Sequence, residues 1–426
     1  MPEELLLSAR ENVGQIFDYL YLVISKTWFV WVPIFLYLAY RIWLFRKQIK
    51  WSQSIKYELV AISIPADSVK DPKSMEQIFT GLHSVEKSRN FFETNFFGEL
   101  QLGFSFEIVG INGHVRFIIR TPDFYRNAVE SLVYAYYPDA EIMEVEDYVA
   151  FAPKIYPDDK YSMYGTEVVL TKPDAYPIRT YLSFAEDIEQ GFIDPVAALT
   201  ESMSSLSPGE QLWFQILIRP RWDDKWKQGV LAEVDKLMKR PVAPYTDWFR
   251  KYVISGWHSV ESNVDQSLGF PAAEIDEDGG PEMNFMSPGE REIIGAIESS
   301  MAKIAFQVKM RFVYIANNDV FDKPKGVLPM FVYMRIFTTE NLNGLKPNTK
   351  NWTSVDYFKK LRLPWRQRKI MSAYTSRDLD AGANGYVMST EELATLYHFP
   401  YESVKAPTLE RTDAKKSEPP ADLPLA

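Results

Sequence analysis

The chain has 426 residues, a formal net charge of -10 at pH 7, 46% hydrophobic residues, 15% aromatic residues and no cysteine. That length and apolar content suffice for two or three domains with real cores and exclude a disordered chain. The missing thiols exclude a disulfide framework, a cysteine nucleophile and a cysteine-ligated metal, and the acidic balance excludes a general nucleic-acid coat, since phosphate binding needs concentrated Lys and Arg.

Residues 28–40 run without a charge, and residues 42–45 extend the apolar stretch past Arg41. Such a run nearly spans a bilayer core, Arg41 can snorkel to the headgroups, and Trp28, Trp31, Tyr40 and Trp43 supply interfacial aromatics. The preceding segment is acidic (Glu3, Glu4, Glu11 and Asp18 against Arg10 and Lys26) and no small-residue cleavage site follows, so a retained single-pass transmembrane helix with its basic flank is expected over 27–50. Arg41, Arg46, Lys47 and Lys50 follow the span and are read as topology-determining. By the positive-inside rule the C-terminal bulk is then cytoplasmic, at the cell inner (plasma) membrane. Within residues 1–26, Val13, Ile16, Phe17, Leu20, Tyr21 and Ile24 recur at helical spacing, which makes 13–25 a candidate amphipathic surface helix.

Residues 55–150 read as βαββαβ. A β-branched strand over 55–65 precedes Asp71-Pro72, an N-cap with proline at the first helical position, and the stripe Met75, Ile78, Phe79 and Leu82. Leu102, Phe104, Phe106 and Ile108 alternate, and Asn112-Gly113 turns the chain into Val115, Phe117 and Ile119. Thr121-Pro122 repeats the cap-and-proline signal before a second helix over Phe124, Ala128, Leu132, Val133 and Tyr136, and a strand over 141–147 follows. This is a ferredoxin-like module. Residues 160–340 echo it: strands at about 166–172 and 178–184, a helix opened by Asp194-Pro195, a strand over 210–218, helices around Val230–Leu237 and 289–302, and a strand over 306–315. The second module carries an insertion over 241–288, whose acidic run 276–280 lacks the alternating ligands of a calcium loop. The expected fold class is therefore α+β, with a single N-terminal transmembrane helix followed by two ferredoxin-like (βαββαβ) modules.

No Walker-type, dinucleotide-type or nucleophile-elbow glycine pattern occurs, and His83, His114, His258 and His398 are scattered. No catalytic, cofactor-binding or metal residue is assigned; no cofactor and no enzymatic activity are expected. Within 341–405, six cations fall in eleven residues, Lys359, Lys360, Arg362, Arg366, Arg368 and Lys369, with Trp352 and Trp365 nearby. They could hold phosphates, either nucleic acid or anionic lipid headgroups, or form an ordinary solvated face. Ser389-Thr390-Glu391-Glu392 opens a capped helix, and 406–426 is a Pro-rich flexible tail suited to a partner.

Four runs carry a resemblance: VYAYYPDAEI (133–142), DPVAALTESMSSLSPGEQLWFQILIRPRWDDKW (194–226), VMSTEELATLYHFP (387–400) and the terminal LERTDAKKSEPPADLP. They resemble the membrane-proximal, non-motor half of bacterial type IV secretion and conjugative-transfer coupling ATPase-like proteins. In that family the ELATLYHFP-like run and a Pro-rich linker precede a P-loop motor, which has no counterpart in these 426 residues. The resemblance implies a membrane-anchored scaffold or adaptor working with a separately encoded P-loop ATPase and other secretion components, or a sequence cut just before its motor. DNA contact and self-association are further partners it leaves open. The alternative is a lipid-binding protein or enzyme acting at the membrane surface.

Overall fold

Prolines and small polar caps punctuate this chain, and the computed structural model follows most of them. It describes residues 26–65, 70–87, 89–188, 194–221, 224–238 and 286–400. The candidate helix 13–25, nearly all of the 241–288 insertion with its acidic run, His258 and the tail 406–426 lie outside the described residues. Two compact units form, one from residues up to Lys56 together with 87–101, the other from 57–86 and 102 onward.

The first unit is built on α1 (Trp28–Ser54), 27 residues and so about 40 Å long. It continues nine residues past the apolar run, through the cationic flank. It is long and apolar enough for a membrane span or a signal sequence, and only 6% of its most apolar window is buried. A π-helical turn, Glu93–Phe97, packs on it.

In the second unit the elements are β1 (Tyr57–Ser63), α2 (Pro72–His83), β2 (Phe104–Ile111), β3 (His114–Pro122), α3 (Arg126–Tyr136), β4 (Glu141–Glu144), β5 (Tyr161–Leu170), α4 (Tyr181–Ile188), α5 (Pro195–Ser204), β6 (Glu210–Pro220), α6 (Asp224–Leu237), α7 (Pro288–Met301), β7 (Ala305–Asn317), α8 (Lys323–Ile336), β8 (Leu345–Pro347), α9 (Lys359–Ser376), β9 (Tyr386–Ser389) and α10 (Thr390–Leu396). The fold is mixed α+β with an antiparallel sheet, ordered β4-β1-β3-β2-β6-β7-β5-β8, with β9 paired to β7. Strands β2 and β6 join the two halves in register from Phe104 opposite Ile218 to Ile111 opposite Gln211.

Each sheet face buries its own core. Helices α2, α3, α5, α8 and α10 cover one face, where Phe79, Phe106, Phe214, Phe312, Tyr333 and Tyr397 belong to one cluster. On the other face α9 and residues 148–156 pack Tyr148, Tyr156, Ile370, Met371 and Tyr374 against Ile118, Trp213 and Val313. A third cluster joins α6 and α7 through Val230, Val234, Ile294 and Ile297.

Asp71 and Asp194 cap α2 and α5 by accepting from the N–H groups of Lys73 (3.0 Å) and Val196 (2.8 Å), with proline at the first position of each helix. Ser389 and Glu392 form a reciprocal capping box on α10. The hairpin β2–β3 turns at Asn112 and Gly113, both at positive φ, 53° and 84°.

Four local expectations are corrected. Residues 178–184 are not a strand: Ile178, Tyr181 and Phe184 are buried at a spacing of three while Leu182 is exposed, and the N–H groups of Ile178 and Tyr181 donate to Glu392 and Thr395 side chains rather than to a ladder. Strand β5 starts at Tyr161, five residues before the expected start, and ends at Leu170. Thr121 and Pro122 stay in β3, and α3 begins only at Arg126 after a short 3-10 turn. Strand β4 stops at Glu144, because Asp147 caps another 3-10 turn at Tyr148–Phe151.

Candidate functional site

The six sequence-marked cations lie on α9, which buries Ile370, Met371, Ala373 and Tyr374 against the sheet and turns its other side outward. They do not act alike. Arg366 donates through Nη1 to the carbonyls of Trp352 (2.9 Å) and Ser354 (3.1 Å), and Arg368 donates through Nε to the Tyr156 carbonyl (2.7 Å). These two tie neighbouring loops to the helix. Burial and the adjacent Arg362 lower the pKa of Arg366. Lys359, Lys360, Arg362 and Lys369 are exposed, and Lys369 lies 5.1 Å from the Trp365 ring centroid. The helix opens at Phe358 in the left-handed region (φ 53°), and Tyr357, Phe358 and Leu361 are more than 70% exposed beside the cations.

Beside this face lies a cavity of about 260 Å³, lined among others by Asn351, Trp365, Arg366, Lys369 and Asp378, with Glu167 in its wall. Glu167 belongs to a polar row running across the sheet. The pairs Glu107↔Gln215, Gln215↔Arg311 and Arg311↔Glu167 place four polar side chains at one register level on β2, β6, β7 and β5, all essentially buried. Arg311 donates to Glu167 (3.4 Å) and to the carbonyls of Ala373 (3.0 Å), Asp378 (2.7 Å) and Ala381 (2.6 Å). Glu167 also accepts from Asn351 and from the Ala383 N–H (2.9 Å). Gly382, at φ 94°, lies so close that a Cβ there would meet Glu167 Oε1.

At the other end, α9 terminates at Arg377, again left-handed at φ 53°, which turns its guanidinium back under the helix. Arg377 bonds both oxygens of Glu107 (2.8 and 3.1 Å) and both of Asp147 (2.8 and 2.9 Å). Glu107 further accepts from Ser105 (2.5 Å), Tyr148 (2.9 Å) and Gln215 (3.0 Å). Burial alone would raise the Glu107 pKa, but Arg377 and these donors hold it below the ordinary value. Arg120 stacks on Tyr57 at 3.7 Å. Burial, together with the charge of Arg377, lowers its pKa to about 10, so it stays cationic at pH 7.

Neither Arg377 nor the polar row was singled out from the sequence. A partial signal existed: Glu107 and Gln215 each interrupt an apolar run, FSFEIVGI and LWFQILI, whereas Arg311 and Glu167 sit in strands with other polar residues. Among the described residues no group of three His, Asp or Glu side chains could hold a metal. Of the histidines, His398 is buried, its Nε2 3.0 Å from Asp194 Oδ1 and its Nδ1 2.8 Å from the Ala394 carbonyl oxygen. His114 is exposed. Arg41, Arg46, Lys47 and Lys50 all lie on α1, with Lys47 over the Trp43 ring at 5.7 Å.

A family model described as a domain of unknown function (DUF8128) matches residues 48–412. The chain belongs to this family. The DUF8128 match takes in the whole sheet, α9 and the polar row, and begins inside α1. No curated protein matches the chain.

Proposed function

We propose that this DUF8128 chain is a membrane-anchored, non-catalytic scaffold or adaptor of a type IV secretion or conjugation-like transfer system. In this reading α1 holds it in the inner membrane with the sheet on the cytoplasmic side. It works with a separate P-loop ATPase and offers the outward cations of α9 to an anionic group of a partner. Each half of the sheet is read as a ferredoxin-like unit: numbered within its own half, each has the strand order 4-1-3-2, with α2 and α3 or α5 and α8 as crossovers and α6–α7 inserted in the second.

The observation that carries the scaffold reading is that the two carboxylates of the polar row are already committed. Glu107 and Glu167 each face an arginine and further hydrogen-bond donors, so neither is free to serve as acid or base. The polar interior fixes strand register, and the unspent charge lies on the surface at Lys359, Lys360, Arg362 and Lys369. Two of the runs resembling secretion proteins, 194–226 and 387–400, meet at the Asp194–His398 pair, which supports treating them as one packed unit of the scaffold.

A mild-detergent pull-down of the full chain from native membranes, followed by mass spectrometry, tests the secretion role. Recovery of a P-loop ATPase with other secretion components is expected; intact bait that brings down neither removes that role. A second reading, a lipid-binding surface, is favoured by exposed Tyr357, Phe358 and Leu361 beside the cations. It requires the chain in neutral nanodiscs to capture anionic vesicles, and requires Gln at positions 359, 360, 362 and 369 to abolish capture.

A further inference from the structure

The segment 87–101 is an excursion between α2 and β2, and within the first unit it folds back onto α1. Two features tie it there. The Tyr40 hydroxyl donates to the Asn95 carbonyl (3.3 Å) and side chain (3.2 Å). Gly98, at φ 72°, brings the backbone against Lys47 and Gln48 so closely that a Cβ would lie 2.9 Å from the Gln48 nitrogen. Leu44 is buried in this unit, and Phe96 meets the edge of Trp43 with ring centroids 6.3 Å apart.

The turn carries two unlike sets of side chains. In one, Lys87 bridges Glu93 and Glu99 (both 3.1 Å), and Asn90 and Glu93 cap each other through backbone N–H groups (2.8 and 2.9 Å). In the other, Phe91, Phe92, Phe96 and Phe97 are 49% to 68% exposed, with ring centroids 5.9 Å apart for Phe91 and Phe92 and 5.6 Å for Phe92 and Phe96. Four exposed phenyl rings in one short turn present apolar surface that water does not favour. The level at which this surface sits identifies its occupant. It lies beside the stretch of α1 where Trp43 and Phe45 give way to Arg46, Lys47 and Lys50, the order of residues that marks a bilayer's headgroup boundary.

We propose that Phe91, Phe92, Phe96 and Phe97 enter the lipid bilayer at the level of Trp43, so that residues 89–98 form an interfacial collar on α1. The collar makes the anchor a two-part device: α1 supplies the span, and the phenyl cluster fixes its depth and resists its rotation. This inference rests on reading α1 as a membrane span.

Because the chain has no cysteine, single cysteines can be placed without removing any native one. Spin labels at Phe92→Cys and Phe96→Cys in the full chain, reconstituted in phosphatidylglycerol–phosphatidylethanolamine vesicles, report collisions with apolar oxygen and with a water-soluble nickel chelate. Phe45→Cys on α1 and Asp139→Cys in an exposed loop are the references. The collar predicts loss of nickel collisions and retention of oxygen collisions at positions 92 and 96, as at 45, with both reagents active at 139. Nickel access at 92 and 96 while 45 remains lipid-like overturns the collar alone. Exclusion of both reagents there also overturns it, since the rings would then be covered by protein. Nickel access at 45 overturns the span reading itself.

Discussion

Replacing Arg377 with methionine should destabilise the sheet severely, and the structure sets the size. The substitution keeps much of the volume but removes four charge-assisted hydrogen bonds and leaves the Glu107 carboxylate, wholly buried, without its counter-ion. Breaking a buried pair in this way costs about 3–5 kcal/mol. Glu107→Gln should cost less, about 1–3 kcal/mol, because Arg377 keeps Asp147 and the amide still accepts hydrogen bonds. The double variant should then be more stable than the two losses added together, with a coupling of about 2 kcal/mol. Equilibrium urea unfolding of the full chain in detergent, followed by circular dichroism, reads all three. The sign with pH is fixed as well. Glu107 has a folded pKa below its unfolded value, so its contribution is present above the ordinary carboxylate range and is lost as pH falls through the lowered folded value. Without Arg377, burial raises that carboxyl instead, and the penalty should shrink in acid. An Arg377→Met protein within about 0.5 kcal/mol of the parent at pH 7 would refute the argument that this ion pair is desolvated.

The Asp194–His398 pair should stabilise within a bounded pH window. Burial opposes both charges, but mutual attraction and hydrogen bonding leave Asp194 lowered and His398 raised. Its contribution is fully present between the unfolded values of about 4 and 6.5, lost in acid through Asp194 and lost in base through His398. Melting temperatures of His398→Gln and the parent should therefore converge as pH rises above neutrality; a constant gap contradicts this. Gly326→Ala places a Cβ 2.3 Å from the buried Tyr314 ring and should cost about 1–3 kcal/mol, visible as a lowered melting temperature. Gly113→Ala, at φ 84° and 2.9 Å from the Ser204 carbonyl oxygen, should lose at least about 1 kcal/mol, whereas an unchanged melting point would mean that the hairpin relaxes freely.

Local chemistry was legible in the sequence where a short motif determines the backbone. Asp71-Pro72, Asp194-Pro195 and Ser389 with Glu392 each start a helix where the caps place it, and Asn112-Gly113 forms the hairpin turn. The start of β5 was less legible because the strand opens YSMYGTE, with little alternation before its β-branched end. Helix α9 was seen as a charge run and not as a helix: cations and Pro364 fill its first half, so its apolar stripe emerges only at Ile370, Met371 and Tyr374. The polar row was least accessible. Glu107 and Arg377 are 270 positions apart, and only strand register and the left-handed end of α9 bring them together. Likewise, Phe91–Phe92 and Phe96–Phe97 became meaningful only once the turn was seen against α1.

The central β2–β6 join governs what happens to this protein when it is cut. In the intact sheet the terminal strands β4 and β8 are only four and three residues long, and backbone from 348–353 shields part of β5 by bonding Glu167 and Gly165. Either half made alone would instead end in a long, apolar edge, β2 or β6, with its ladder groups open. Such an edge templates pairing with any copy of itself. Covalent linkage of the halves thus acts as aggregation control, and a fragment ending between β4 and β5 should be far less soluble than the full sheet it came from.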